Sequence, residues 1–216
     1  MNFLLNVEWA IFQWVEQTLW NPILDTIMTI ITRLGDGGWF WILLTLILLA
    51  MRPTRRMGMA AAIGLLCSLI INDGILKNLI QRPRPFDLSL WQGLFQYPEL
   101  IPRPESFSFP SGHSCSSLAA ATGIWMGRKN GWTAALLVLA VLIAFSRIYL
   151  HVHYPTDVLM GSLLGVVYGM VGWYLAGRLP KGFYEARLGQ RWNQSLYYHG
   201  PVGKPAGPNH FHSVNL

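Results

Sequence analysis

The chain alternates long apolar stretches with short polar segments. Five stretches contain no Asp, Glu, Lys or Arg, and they cover residues 37–51, 57–72, 106–127, 130–146 and 158–177. An apolar run of about 20 residues can cross a hydrocarbon core ~30 Å thick as a helix. One such run is compatible with a buried core helix, but five in sequence are typical of a polytopic membrane protein. The pattern therefore predicts an all-α membrane helical bundle with five transmembrane helices, at 38–51, 57–76, 111–127, 132–150 and 156–177.

The amino-terminal residues 1–34 follow a different pattern. Residues 3–20 have a helical pattern in which two glutamates lie among three tryptophans, as is typical of a helix at a membrane interface. An Asn-Pro pair interrupts this pattern, and Pro22 suits the first position of a second helix over 23–34. The segment predicts either two short interfacial helices or one imperfect sixth span, and we expect the former. A Gly-Asp-Gly-Gly turn at 35–38 follows.

The same pattern divides the chain into three parts. These are amphipathic helices in 1–34, a membrane domain in 35–179 and a polar tail in 180–216. The longest connection in the membrane domain, 77–110, is rich in proline and in aromatic residues, which concentrate at membrane interfaces. We expect this connection to be either a lid over a site or an interfacial anchor. The tail is rich in glycine and proline over 200–209, which predicts disorder there.

The charges of the chain are few and unevenly placed. Only 12% of the 216 residues are charged, against about 25% in a soluble domain. Basic residues give a net charge of +6 and cluster at alternate ends of the predicted spans, at 52–56, 128–129 and 178–191. Because Lys and Arg are enriched in cytoplasmic loops, these clusters indicate the inner side of the cell membrane, and 77–110 and 151–156 then lie on the outer side. This placement predicts that the chain interacts with the lipid bilayer. It does not favour nucleic acid as a partner.

Two further kinds of chemistry are not favoured by the sequence. Both cysteines, Cys67 and Cys115, lie in apolar stretches, where a thiol behaves as a small hydrophobe rather than as a disulfide partner or nucleophile. The ten acidic residues are scattered, whereas a two-metal catalytic site needs clustered carboxylates. We therefore expect neither a metal nor another cofactor.

Three short blocks on the predicted outer side concentrate polar residues beside the apolar stretches. The first is Ser111-Gly112-His113, which lies between a proline and an apolar helix. The first turn of a helix has unpaired backbone N–H groups and a partial positive charge, which together attract anions. Gly112 would let a ligand approach the backbone, and Ser111 would add a hydroxyl donor. Taken alone, the block fits equally well a simple N-cap at Ser111 with His113 incidental.

The second block is Lys77 with Arg84-Pro85. Arginine offers phosphate oxygens a planar bidentate fork, and lysine offers a point charge. The alternative is that these side chains reach from a helix end to the lipid headgroups, which explains Arg82 about as well as a functional role does. Asp73 lies four residues before Lys77 on the same helix face, so an ion pair between them would compete with a ligand.

The third block joins Arg147, at the end of the fourth predicted span, to His153 and Asp157. Pro155 suits the first turn of the fifth span, which places Asp157 about one turn into that helix with its carboxylate reaching back towards His153. A carboxylate that holds one imidazole nitrogen fixes the tautomer and leaves the other nitrogen free to attack. His151 lacks a carboxylate at a comparable offset, so His153 is the favoured nucleophile. Two incidental interfacial histidines are the alternative.

Together the blocks provide the parts of a phosphate-binding site. Lys77, Arg84 and Arg147 supply three positive charges for a phosphate dianion. In partly dry protein each close charge pair gains roughly 4 kcal/mol before desolvation, against ~1 kcal/mol in water. A cluster of cations repels itself when empty, so it makes sense only if an anion usually fills it. An anion filter in a transporter or channel is the competing interpretation, but a pore needs no His–Asp pair.

At these spacings the blocks resemble the signature of the type 2 phosphatidic acid phosphatase superfamily, which also contains vanadium haloperoxidases. That signature is Lys, six residues and Arg-Pro; Pro-Ser-Gly-His; and Ser-Arg, five residues, His, three residues and Asp. All three parts match without a substitution, within residues 72–177. The resemblance implies that His153 is the nucleophile, Asp157 its orienting partner and His113 the general acid. It also implies a phosphate cradle formed by Lys77, Arg84, Ser111, Gly112 and Arg147.

The resemblance further implies a membrane lipid phosphatase with its site at the outer face, acting through a phosphohistidine without a metal. We expect a lipid phosphate or diphosphate as substrate, with undecaprenyl diphosphate favoured over phosphatidylglycerophosphate and phosphatidic acid. A lipid-dependent phosphotransferase would have the same motifs, because an acceptor hydroxyl and water compete for the same intermediate. A non-catalytic anion transporter is the alternative from another class.

Overall fold

The computed structural model describes residues 3–87 and 100–185. Residues 88–99 of the 77–110 connection, on which the lid or anchor prediction depends, and residues 186–216 of the tail lie outside the described residues. All regular elements within the described ranges are helical, which confirms the all-α class. The helices are α1 (Phe3–Leu19), α2 (Pro22–Arg33), α3 (Trp39–Ala50), α4 (Arg55–Cys67), α5 (Lys77–Ile80), α6 (Gly112–Gly127), α7 (Gly131–Tyr149), α8 (Pro155–Ala176) and α9 (Lys181–Glu185). Short 3-10 turns occur at Asp36–Gly38, Arg52–Thr54 and Pro85–Asp87, and a π-helix over Ser68–Leu76 joins α4 to α5. The division into three parts stays a prediction.

Two helix starts follow signals that are visible in the sequence. Asn21 caps α2, because its side-chain oxygen accepts two backbone N–H groups of the first turn at 3.1 and 3.0 Å. Pro22 occupies the first helical position, where its missing N–H costs nothing. Pro155 begins α8 in the same way and places Asp157 at the third position of the helix, as predicted. Local chemistry thus fixes where the last helix starts and where its carboxylate lies.

Three helical stretches of the described chain are long and apolar enough to cross a membrane: Arg52–Asp87, Gly131–Tyr149 and Pro155–Ala176. They correspond to the second, fourth and fifth predicted spans. The first predicted span is the 12-residue α3, which reaches the required length only together with α2, across a 45° bend. The third is α6, whose 16 residues are about 24 Å long. Length and composition therefore give three candidate spans, or four if the bent pair is one span.

Helix α6 lies at the centre of the bundle and packs against α4, α7 and α8. Most of its residues are small, and most of them are buried. A hydrophobic cluster that includes Trp41, Ile124 and Ile143 joins α6 to α3 and α7. The indole N–H of Trp41 also donates to the Ser117 hydroxyl at 2.9 Å. Since protein rather than lipid surrounds α6, the helix can position a polar first turn inside the bundle.

Helix α8 approaches α6 through glycines at helical spacing. A Cβ atom added at Gly161, Gly165 or Gly169 would lie 2.4–2.6 Å from a backbone oxygen of α6 or its cap, closer than the 3.0 Å that real Cβ atoms keep. Small residues allow transmembrane helices to approach this closely. The close packing brings the backbone N–H of Ser111 within 3.1 Å of the carbonyl oxygen of Asp157. The α6–α8 interface therefore brings the first and third blocks together.

Helices α1 and α2 pack against α7, and α1 also packs against α8. Phe12 of α1 packs against Tyr154 in the α7–α8 connection. Asp25 of α2 accepts a hydrogen bond from the Tyr149 hydroxyl at 2.6 Å. Other apolar side chains of both helices are exposed: Phe3, Leu4, Val7, Trp14, Ile23, Ile27 and Ile30. The two helices thus complete the end of the bundle that carries the third block and present an apolar surface to their surroundings.

Replacing Gly165 with Ala should destabilise the protein, although the same exchange in an unconstrained helix interior stabilises by up to about 1 kcal/mol. The added methyl group would meet the Cys115 carbonyl oxygen at 2.4 Å, so the helices must separate, at a cost of about 1–3 kcal/mol. Gly131→Ala is the matched control, because a Cβ there meets nothing within 4 Å. The free energy of unfolding in detergent is the measurement. A Gly165→Ala protein as stable as the control would contradict the close packing of α8 against α6 at this position.

Candidate active site

A cavity of about 760 Å³ lies where the three blocks meet. Six of the eight residues expected at the site line it: Lys77, Arg84, Gly112, His113, Arg147 and His153. The wall is completed by the 35–38 turn, by residues 101–104 and by apolar side chains of α3 and α4. Asp157 and Ser111, the other two, lie behind the wall and contact residues that form it. The fold therefore gathers segments that are far apart in the sequence around one cavity.

His153 is almost fully buried, and its ring lies between a cation and a carboxylate. Its Nε2 atom is 3.3 Å from Nη1 of Arg84, and its Nδ1 atom is 3.4 Å from the Ser108 hydroxyl and 3.6 Å from Oδ2 of Asp157. A guanidinium group can only donate, so Nε2 must accept in that contact. The proton of the neutral ring is then on Nδ1, facing Ser108 and Asp157. In this tautomer the Nε2 lone pair points towards Arg84, and both residues line the cavity.

Asp157 acts on His153 partly through Ser108. At 3.6 Å the direct His153–Asp157 contact is too long for a hydrogen bond, whereas the Ser108 hydroxyl donates to Oδ2 of Asp157 at 2.5 Å. The Tyr154 backbone N–H donates to the same oxygen at 3.1 Å. Arg82 donates to the other oxygen, Oδ1, at 2.6 Å. The carboxylate is therefore fixed on both sides, and Ser108 is a site residue that the motifs do not reveal.

The environment of His153 favours its neutral form. Burial lowers the pKa of His153 well below the usual 6.5, and the nearby Arg84 and Arg147 cations lower it further. A buried imidazolium would lose its hydration and lie beside like charges, so the proton is released. The sequence predicts the histidine and its partner, but the direction of this pKa shift follows from burial.

Each of the three cations is held by a partner within the protein. Arg84 donates from Nε to the Ser106 carbonyl and from Nη1 to the Val152 carbonyl, both at 2.7 Å. Arg147 is buried at the end of α7 and donates from Nη1 to the Thr32 hydroxyl at 2.5 Å. These contacts fix the direction of both guanidinium groups before any anion binds, so little reorganisation is needed on binding.

Lys77 is paired with Asp73, as its position one helical turn later predicted. The two side chains are 2.7 Å apart, and both line the cavity. A Cβ atom on Gly112 would lie 2.7 Å from Oδ1 of Asp73 and 3.3 Å from Nζ of Lys77. Gly112 therefore leaves the space in which this ion pair meets the first turn of α6. An incoming anion would share Lys77 with Asp73.

Ser111 lies at the N-cap of α6, as the alternative interpretation of its block predicted. It is fully buried, and its hydroxyl oxygen accepts from the Ser114 hydroxyl at 2.9 Å. The Ser114 backbone N–H also points to this oxygen, at 3.5 Å. These contacts direct the hydroxyl into the helix rather than to the cavity wall.

His113 contacts a carboxylate that the motifs do not include. Its Nε2 atom is 2.9 Å from Oδ1 of Asp36, in the turn between α2 and α3. A Cβ atom on Gly35 would lie 2.5 Å from the His113 ring, so only a glycine lets the turn pass this close. Gly37 and Gly38 adopt positive φ angles of 57° and 68°, which glycine allows at little cost. The Gly-Asp-Gly-Gly turn that the sequence indicates is therefore a wall of the cavity.

His151, the rival nucleophile, lies elsewhere. Its ring packs against Phe12 and Trp20, with centroids 4.6 and 5.4 Å away, and its Nε2 atom is 3.6 Å from Oε1 of Glu16. Burial lowers the pKa of His151 to about 4. The residues that line the cavity include His153 but not His151. The geometry thus separates two histidines that are only two positions apart in the sequence.

The described ranges 3–87 and 100–185 contain no group of three or more His, Cys, Asp or Glu residues that could hold a metal ion. Cys67 and Cys115 are both free thiols. The expectation of chemistry without a metal stays a prediction that an activity measurement must decide.

Comparison with known proteins places this geometry in a family. The family model described as the PAP2 superfamily matches residues 55–181. Undecaprenyl-diphosphatase of Sulfolobus acidocaldarius is 31% identical over 145 residues, which cover 66% of this chain and 66% of that protein. Undecaprenyl-diphosphatase BcrC of Bacillus subtilis is 32% identical over 152 residues, which cover 70% of this chain and 74% of that protein.

A solved structure shares the arrangement of the helices. The crystal structure of a transmembrane PAP2 type phosphatidylglycerolphosphate phosphatase from Bacillus subtilis aligns with a TM-score of 0.67 at 27% identity. The alignment covers 84% of this chain and 90% of that chain. The matched family region starts at residue 55, so α1, α2, α3 and the 35–38 turn lie before it.

The state of His153 can be measured directly. In ¹⁵N spectra of histidine-labelled protein in detergent at pH 6.5, we expect the His153 ring to be neutral with its proton on Nδ1. A lowered pKa keeps the neutral form present to lower pH, so the resonance should begin to titrate only well below pH 6.5. Its assignment follows from its loss in His153→Gln and its persistence in His151→Asn. Titration at or above pH 6.5 would contradict the lowered pKa of His153. A proton on Nε2 would contradict the Nδ1–H tautomer.

Proposed function

We propose that this chain, which belongs to the PAP2 superfamily and is a membrane lipid phosphatase, removes the terminal phosphate of a polyprenyl diphosphate through a phosphohistidine intermediate. The observation that carries the mechanism is the position of one atom. Nε2 of His153 lies 3.3 Å from Nη1 of Arg84 as an acceptor, and both residues line the cavity together with Lys77, Arg147 and His113. A nucleophile, a proton donor and three cations then surround a single phosphoryl group.

The first step transfers the phosphoryl group to the protein. Nε2 of His153 attacks the terminal phosphorus, a P–N bond forms, and the P–O bond to the lipid phosphate breaks. The electron pair of that bond leaves on oxygen, which takes a proton from His113. As the negative charge spreads over the equatorial oxygens, the guanidinium groups of Arg84 and Arg147 and the ammonium of Lys77 stabilise it.

The second step regenerates the protein. Water attacks the phosphorus of the phosphohistidine, His113 takes a proton from that water, and the P–N bond breaks to release inorganic phosphate. Asp36, 2.9 Å from Nε2 of His113, gives that imidazole a carboxylate partner in its protonated form. Asp157 and Ser108 hold the proton on Nδ1 of His153 through both steps. No cofactor takes part in either step.

The apolar part of the cavity supports a lipid substrate. This part is lined by side chains of α3, α4 and the π-helix Ser68–Leu76, namely Ile42, Leu46, Leu49, Ala62, Leu65, Leu66 and Leu69. Ile42, Leu46, Leu66 and Leu69 are also about half exposed on the outside of the helices, where a membrane protein meets lipid. A hydrocarbon chain can therefore reach this wall from the bilayer while its phosphate stays among the cations. The relatives named as undecaprenyl-diphosphatases favour a polyprenyl diphosphate over the other two lipids.

The finer membrane topology is a further part of the proposal. We propose five spans at the positions predicted from the sequence, with α1 and α2 at the outer interface of the cell membrane and the cavity open to the outer face. The basic clusters at 52–56 and 128–129 lie at helix ends away from the three blocks, which the positive-inside rule favours on the cytoplasmic side. The exposed apolar faces of α1 and α2 suit contact with the interface.

The assay that tests the function compares three lipids and two histidines. Purified protein in detergent should release phosphate fastest from undecaprenyl diphosphate, more slowly from phosphatidylglycerophosphate and phosphatidic acid, with or without a chelator, and vanadate should inhibit it. His153→Ala should lower the rate by at least about 1,000-fold, because it removes the attacking atom. His151→Asn is the matched control, since Asn tolerates the positive φ of 53° at this position.

The control should keep the rate within about threefold of the unchanged protein, because His151 lies outside the cavity. Full activity in His153→Ala would show that His153 is not the nucleophile. Strict dependence on a divalent metal would contradict the metal-free mechanism. A preference for a monophosphate lipid would contradict the proposed substrate.

The orientation can be tested with two single cysteines. In a background with Cys67→Ser and Cys115→Ala, Glu105→Cys and Lys129→Cys each place a thiol in an exposed connecting segment. A membrane-impermeant maleimide added to intact cells should label Glu105→Cys, whereas Lys129→Cys should react only after the membrane is permeabilised. The reverse labelling pattern would place the cavity on the cytoplasmic side.

A further inference from the structure

A buried carboxylate of the amino-terminal helix is linked to the third block through one arginine. Glu8 lies in α1, outside the matched family region, and is only 1% exposed. We propose that Glu8 and Arg82 are positioning residues of the reaction, which fix the carboxylate of Asp157 and through it the tautomer and direction of His153. The inference rests on the proposed function and extends the working site to α1.

Arg82 connects the two carboxylates with the two ends of its guanidinium group. Nη2 donates to both oxygens of Glu8, at 3.0 and 2.8 Å. Nη1 donates to Oδ1 of Asp157 at 2.6 Å and to the Thr156 hydroxyl at 2.7 Å. The guanidinium carbon lies 3.8 Å above the centre of the Tyr154 ring. The fork is planar, so contacts at one end determine the direction of the other end.

Glu8 also contacts the helix that carries Asp157. The Thr156 hydroxyl donates a short hydrogen bond to Oε1 of Glu8. Glu8 therefore reaches Asp157 by two routes, through the fork of Arg82 and through the residue that precedes Asp157 in α8. Both routes act on the first turn of α8, and neither reaches the cavity directly. Glu8 is thus placed to orient the site without touching a substrate.

The two carboxylate oxygens of Asp157 have different partners, and this difference explains how Glu8 and Arg82 act on His153. Arg82 takes Oδ1, so Oδ2 is left to Ser108, the Tyr154 backbone N–H and the Nδ1 side of His153. Without Glu8, the guanidinium of Arg82 would have one carboxylate instead of two and could rotate about its end at Asp157. A rotation of Asp157 in response would withdraw the acceptor that keeps the His153 proton on Nδ1.

Docking of α1 by itself does not require these charges. Phe12 and Tyr154 already form an apolar contact between α1 and the α7–α8 connection. Desolvation of a buried ion pair offsets most of its Coulomb gain, so apolar side chains of similar size usually give equal or greater stability. A buried Glu8–Arg82–Asp157 group is therefore better explained by the orientation it imposes than by the stability it adds.

The experiment measures kcat and KM of the full-length protein in detergent, for Glu8→Gln and Arg82→Lys, each alone and combined with Asp157→Asn. Each single exchange should lower kcat about tenfold, the effect of one hydrogen bond to a charged group, and change KM less than about twofold. In the Asp157→Asn background neither should cause a further loss, since residues that act as one unit are not additive. Arg82→Lys keeps the positive charge and removes only the fork.

Glu16→Gln is the matched control. It is the same exchange on the same helix, but Glu16 faces His151 rather than Arg82. It should leave kcat and KM unchanged. A purely structural role of Glu8 would lower the yield of folded protein while leaving the kcat of the folded fraction unchanged. Unchanged kcat in Glu8→Gln, or an equal loss in both Asp157 backgrounds, would overturn the inference. If Glu8→Gln does not fold, the same two outcomes are judged on Arg82→Lys.

A second readout separates this inference from the proposed function. The ¹⁵N resonances of His153 should move in Glu8→Gln and in Arg82→Lys but not in Glu16→Gln, which should move those of His151 instead. This measurement needs no substrate. If the unchanged protein releases no phosphate from any of the three lipids, the proposed function fails while the spectra still decide the inference. If the protein is active but the His153 resonances stay in place, only the inference fails.

Discussion

The site depends on keeping one buried imidazole neutral among cations. His153 is surrounded by protein, and Arg84 and Arg147 face it, so both the loss of hydration and the positive charge act against its protonation. Because Arg84 can only donate, it also determines which ring nitrogen carries the lone pair. The cations that line the cavity thus also favour the neutral form of His153. In the proposed mechanism, the attacking nitrogen and the anion site form one electrostatic unit.

The remaining polar groups hold the cations of this unit in place. Lys77 is paired with Asp73, whereas Arg84 and Arg147 donate to uncharged oxygens of Ser106, Val152 and Thr32. These contacts fix the direction of the two guanidinium groups. Apolar side chains of α3 and α4 form part of the cavity wall, and charge interactions are stronger beside such low-dielectric walls than in water.

Close helix packing is what makes these contacts possible. The glycines of α8 let it approach α6, so the first turns of both helices lie together. There the backbone N–H of Ser111 donates to the carbonyl oxygen of Asp157. The two glycines with positive φ between α2 and α3 bring Asp36 to His113. Small residues therefore carry much of the site's construction, although their side chains take no part in the chemistry.

Local sequence signals predicted a large part of this arrangement. Proline at the start of α8, the four-residue spacing of Asp73 and Lys77, and the cap at Ser111 depend only on neighbours in the chain, and each lies where it was expected. Apart from His153, the sequence did not predict the residues that contact Asp157, nor the carboxylate that contacts His113. Arg82 lies between Lys77 and Arg84, and Ser108 lies three residues before Ser111, but both contact Asp157 in a distant block. Asp36 and Glu8 lie outside all three blocks, so no local spacing predicts these contacts. Arg82 in particular was equally well explained by contact with lipid headgroups.

By itself, then, the sequence determined the helical class, the apolar segments, the order of the three blocks and the His–Asp pair, because each depends on hydrophobicity or on spacing within one turn. Only the tertiary structure decided that His151 faces α1 while His153 faces the cavity, that Ser108 stands between His153 and Asp157, and that the amino-terminal helix reaches the site through Glu8. The physical reason is that burial, charge and hydrogen-bond direction depend on which distant segments pack together, and that packing is not encoded in any local pattern.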